Sequence, residues 1–121
     1  MPRGKKQLFE DFVKFIEQHG HGEGYTRDPH QYAPPDCGFV RFRYPGALLF
    51  TSAGMVRFHT QAEGFRACKT FVEKSDEPME LQMSFPRESP QNFPSPTFAK
   101  EHEAAQSRWL RLKRSFGLWW Y

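Results

Sequence analysis

Apolar residues along this chain change their spacing several times, and each change predicts an element. Over residues 5–18, KKQLFEDFVKFIEQ, Leu8, Phe9, Phe12, Val13, Phe15 and Ile16 recur at intervals suited to one broad face. That is the stripe of an amphipathic helix, which His19–Gly20 should end. Residues 21–37 lose the periodicity and carry Gly, His and the pair Pro34–Pro35, which predicts loop. From 39 to 60 the apolar residues come in short β-rich runs, 39–44, 47–51 and 55–60. Pro45–Gly46 and Thr51–Ser52–Ala53–Gly54 supply turn residues between them, so a three-strand antiparallel meander is expected.

Helical spacing returns in 61–74, QAEGFRACKTFVEK, through Ala62, Phe65, Cys68, Phe71 and Val72. Gly64 inside that helix costs about 1 kcal/mol relative to alanine. Residues 79–85, MELQMSF, alternate Met79, Leu81, Met83 and Phe85 with polar neighbours, the pattern of a fourth strand. Pro86, Pro90, Pro94 and Pro96 make 86–96 an extended connector. A last helix over 98–116 places Phe98, Ala105, Trp109, Leu112 and Phe116 along one side. The expected architecture is α+β: one domain over 1–121, an antiparallel sheet of the meander and the fourth strand, and helices packed on one face.

Composition narrows the class. A length of 121 residues suits one modest core, and 17% aromatic residues, 13 of them Phe, remove intrinsic disorder from consideration. No apolar run approaches the roughly 20 residues that span a bilayer. The N-terminus, MPRGKKQLFEDF, has no apolar core of a secretory leader. Cys37 and Cys68 form neither a disulfide framework nor a zinc pattern, so reduced thiols and a cytoplasmic or nuclear location are expected. The formal charge is only +3, but it is unevenly placed. Residues 38–66 hold four arginines against Glu63 alone, and 108–121 hold four cations and no acid. An acidic stretch separates them.

Strand parity decides what the first group of cations does. Val40, Phe42 and Tyr44 share one face of 39–44, and Phe39, Arg41 and Arg43 the other. Closing the hairpin at Tyr44 and Ala47 would set Arg43 opposite Leu48, Arg41 opposite Phe50 and Phe42 opposite Leu49. The repeat of FVRF at 39–42 by MVRF at 55–58 adds Val56 and Phe58 to the first face and Arg57 and His59 to the second. Burying three unpaired arginines costs several kcal/mol apiece, so the second face must be open. Arg41, Arg43, Leu48, Phe50, Arg57 and His59 then form a surface mixing cations with apolar groups. Such a surface suits DNA or RNA, arginines taking phosphates and an aromatic stacking on or wedging between bases. The plainer alternative is a solvated outer face partly covered by the C-terminal helix.

The run VRFRYPGALLFTSAGMV, residues 40–56, followed by a helix after 61, is similar to the strand-turn-strand core of a single TATA-binding-protein repeat. The resemblance covers residues 40–74. It implies a curved antiparallel sheet with helices on its convex side and DNA against the concave side. On the matching positions it implies a phosphate contact for Arg41, a DNA-facing Leu48, and Phe50 as a wedge that kinks the duplex. A saddle built from one such repeat would need a homodimer.

The segment RWLRLKRSFGLWWY offers a second candidate surface. Arg108, Arg111, Lys113 and Arg114 would meet nucleic acid or an anionic membrane surface, and Trp119, Trp120 and Tyr121 a protein partner or a second copy. The structural reading of the same residues packs Trp109, Leu112 and Phe116 on the sheet and leaves the cations solvated. His19, His21 and His30 lie in a Gly-rich loop that offers no fixed frame, so no metal site is expected. A phosphate loop, a nucleophile elbow and a dinucleotide fingerprint are all missing, so neither an enzyme nor a cofactor is expected. The expected function is a small nucleic-acid-binding regulatory protein, DNA being the first expectation. The alternative is a protein-interaction module, an inhibitor or adaptor, that uses the Trp-rich basic segment.

Overall fold

The computed structural model describes residues 4–26 and 35–116. Three helices and five strands follow in the order α1 (Lys5–Gln18), β1 (Gly22–Thr26), β2 (Cys37–Arg43), β3 (Thr51–Phe58), α2 (Gln61–Glu73), β4 (Glu80–Ser84), β5 (Gln91–Pro94) and α3 (Phe98–Phe116). The strands make one antiparallel sheet in the order β1-β3-β2-β4-β5, with β2 at its centre. The fold is α+β, with α1 and α2 side by side on one face of the sheet.

The core lies between that face and the two helices. From α1 come Leu8, Phe9, Phe12 and Ile16, all fully buried. From α2 come Ala67, Cys68 and Val72, and from the sheet Val40, Phe42, Val56, Phe58, Leu81 and Met83. Phe12 sits at the centre, edge-on to Phe42, Phe58 and Phe71 at centroid distances of 5.2–6.3 Å. Helix α2 begins at Thr60, whose hydroxyl accepts the Glu63 N–H at 3.1 Å. Gly64 now has a reason: a Cβ there would lie 2.8 Å from the ring of Phe85 and 3.0 Å from that of Phe58. The missing methyl lets α2 sit directly on the sheet, which offsets its poor helix propensity.

The meander departs from expectation. Its first turn forms, with Gly46 at φ +88° and the Ala47 N–H on the Tyr44 carbonyl at 3.1 Å. Residues 47–50 nevertheless do not pair with β2, and Leu49, expected in the core, is 81% exposed. Arg43 takes the carbonyls of Ala47 and Leu48, each at 3.3 Å, and so removes acceptors that a strand there would present. The ladder resumes with Thr51 opposite Phe42 and Ser52 opposite Arg41. Thr51–Ser52–Ala53–Gly54, expected as a turn, is strand with a bulge at Ala53.

Two strands were invisible to periodicity. GEGYT forms β1 on the outer edge beside β3, where Gly22 presses against the backbone of Arg57 and Phe58 so closely that no side chain fits. The expected Pro-rich connector contains β5, an edge strand that ends at Pro94, where a missing N–H costs little.

Candidate nucleic-acid interface

Each strand has one side on the core, so the opposite side of the sheet is fixed by the same pleat. On β2 that side carries Phe39, Arg41 and Arg43, and Cα pairing sets Met55 and Ser84 beside Phe39, Gln82 beside Arg41 and Glu80 beside Arg43. Arg57 shares this side, exposed, while Val56 and Phe58 are buried on the other. The faces are those expected from desolvation cost, although β3 pairs antiparallel with β2 directly, without the intervening strand expected over 47–51. Burial, and not strand direction, decides the parity.

The three arginines have different surroundings. Arg43 is a structural clamp. Its Nε and Nη2 both reach Oε1 of Glu80 at 2.7 Å, and Glu80 is only 7% exposed. The guanidinium also lies 4.5 Å from the ring centroid of Phe50 and 5.6 Å from that of Phe98. Phe50 is therefore packed under Arg43, on a loop rather than opposite Arg41. Leu48 is 76% exposed on the same loop and does not stand on the sheet. Arg57 makes a solvent-exposed pair with Asp36 at 3.2 Å, and His59 lies just past the end of β3, also exposed.

Arg41 is different. Among the described residues no ion pair includes it, and its Nε is buried without a hydrogen-bond partner there. Its guanidinium carbon sits 5.7 Å from the Phe39 ring. On the neighbouring strand the Ser84 hydroxyl is likewise buried and unpartnered, and the Gln82 amide donates to Asn92 at 3.1 Å. A cation, an aromatic ring, a hydroxyl and two amides therefore line the middle of one sheet face. Alternation in MELQMSF already put Glu80, Gln82 and Ser84 on one side; the missing step was to set that side beside the arginines of β2.

The second cationic group lies apart. Helix α3 touches the body near its start, where Phe98 is buried and stacks on His102, whose Nδ1 accepts the Gly46 N–H at 3.2 Å. Trp109 and Leu112, expected on the sheet, are 61% and 53% exposed, and Arg108 and Arg111 are exposed as well. Lys113 and Arg114 belong to the last turns of α3. Trp119, Trp120, Tyr121 and His30 lie outside the described residues.

Burial and the neighbouring Asp36 carboxylate push the Cys37 thiol up against the opposing pull of Arg57, and burial pushes Cys68 well up, so both stay protonated. His21 donates to Glu63 at 2.6 Å and so links the end of α1 to α2, while His19 contacts the Phe15 carbonyl within the last turn of α1. Among the described residues no group of three His, Cys, Asp or Glu side chains converges for a metal, and no helix is long and apolar enough to cross a membrane. Compared with known proteins, the chain matches no family model, no curated sequence and no solved structure.

Proposed function

We propose that the chain is a binding module whose sheet face opposite α1 and α2 takes single-stranded nucleic acid. One observation carries this reading: Arg41, on the central strand, lies beside Phe39 and has a buried Nε with no acceptor among the described residues. A buried guanidinium N–H without an acceptor is costly, and a phosphate oxygen is the strongest acceptor that a sheet surface meets. Phe39 supplies a ring for base stacking, worth about 1–3 kcal/mol per base. Gln82 and Asn92 supply neutral donors and acceptors for base edges. A single strand suits the surface better than a duplex, because these groups lie within the sheet and no described side chain forms a wedge. The TATA-box reading gives Phe50 that task, and Phe50 is engaged under Arg43.

The test is anisotropy of labelled single-stranded RNA, single-stranded DNA and duplex DNA at two salt concentrations. Binding should weaken as salt rises, and Arg41→Ala and Phe39→Ala should each reduce it about tenfold while leaving circular dichroism unchanged. Binding that ignores both substitutions, or no binding to any of the three, would refute the proposal.

A further inference from the structure

We propose a second docking surface, independent of the sheet face: the outer half of α3 with the loop that carries Leu48, built to hold an acidic amphipathic helix of a protein partner. The ordinary destination of an apolar helical stripe is the core, and here it is absent. Trp109, Leu110 and Leu112 are 61%, 50% and 53% exposed, and Leu48 beside them is 76% exposed. Scattered apolar residues on a surface mean little, but Leu48 and Trp109 line one groove and Leu112 follows Trp109 at helical spacing. A groove of about 240 Å³ runs between Leu48, Gly46, Ala105, Gln106 and Trp109. It offers space for a bulky apolar side chain delivered from outside.

The shape of the stripe identifies the occupant as a helix. Ala105, Trp109 and Leu112 follow at intervals of four and three, the seam spacing by which one helix packs along another. The charge identifies its chemistry. From 108 to 114 the helix has Arg108, Arg111, Lys113 and Arg114 and no acid, and Arg108 and Arg111 form no ion pair among the described residues. A second copy packed through the same stretch would set these cations against each other. A helix with glutamates or aspartates flanking its apolar seam would neutralise them. Nucleic acid would satisfy the cations but gives the apolar groove no matching side chain.

The probe is a synthetic helix of about three heptads with Leu at its seam and Glu at the flanking positions. Its titration against the full chain is compared with the same peptide bearing Lys for Glu, a single-stranded oligonucleotide and phosphatidylserine vesicles. Sedimentation of the protein alone reports self-association. The acidic peptide should bind and the Lys peptide should not. Trp109→Ala and the double variant Arg108→Glu/Arg111→Glu should each weaken binding about tenfold or more with circular dichroism unchanged. Oligonucleotide binding should survive both variants, which separates this surface from the sheet face. The proposal is overturned if the acidic peptide fails to bind, if the Lys peptide binds equally, or if the variants have no effect. It is also overturned if these variants abolish vesicle binding or self-association while the acidic peptide is inert.

Discussion

Helices α1 and α3 carry comparable apolar stripes and meet opposite fates. In α1, Leu8, Phe9, Phe12 and Ile16 are fully buried; in α3, Trp109 and Leu112 remain more than half exposed. The difference lies in what each stripe is offered. Helix α1 faces Val40, Phe42, Val56 and Phe58, a continuous apolar surface. The other side of the sheet presents Arg41, Arg57 and the Arg43–Glu80 pair, against which a tryptophan stripe would strand charges. Amphipathicity states that a helix has a side to bury, and the neighbouring surface decides whether it does so within the chain.

Substitutions can break that contrast. Phe12→Ala should destabilise the fold by about 3–5 kcal/mol, whereas Trp109→Ala should stay within about 0.5 kcal/mol. Urea denaturation of the two variants measures both, and equal losses would mean that α3 is part of the core. Next in size, Glu80→Ala leaves the Arg43 guanidinium without its carboxylate in a mostly buried site. The expected loss is about 3 kcal/mol by the same measurement. Glu80→Gln should recover part of it by keeping an acceptor oxygen on Arg43.

The smallest effect lies at the margin of the α1–α2 layer, where His21, just past α1, bonds Glu63 in the first turn of α2. That hydrogen bond is the main cause that holds the Glu63 carboxyl below its usual range, helped by the nearby charges of His21, Arg66 and His59. A carboxylate lowered on folding contributes stability above the usual carboxylate range and loses it as pH falls through the lowered value. The gap in stability between the parent chain and Glu63→Gln should therefore be present at neutral pH and shrink at an acid pH below the usual carboxylate range. Denaturation curves at the two pH values would show it, and a gap that widens in acid would reverse the assignment.

Much of this contrast was legible in the residues. Period 3.6 located α1, α2 and α3, and period 2 located β4. The cost of burying Arg57 set Val56 and Phe58 inward even though β3 pairs directly with β2 and no strand over 47–51 lies between them. What was not legible depends on partners distant in sequence. GEGYT and QNFP have no alternation of their own and become strands only because β3 and β4 offer edges to pair with. The run 47–51 reads as a strand, but Arg43 claims its first carbonyls, an event that hydropathy does not encode. The binding face was half legible. Parity placed Arg41 and Arg57, but which arginine was already committed followed from Glu80, some 40 positions away in the chain.

Arg43 has a further consequence. One guanidinium joins Glu80 on β4, two carbonyls of the loop that carries Leu48, and the Phe98 ring at the root of α3. Loop and helix root are thus held to the sheet by a common fastening and belong to one cooperative unit of local opening. A fluctuation that frees that side chain releases both together, without disturbing the phenylalanine core on the far side of the sheet.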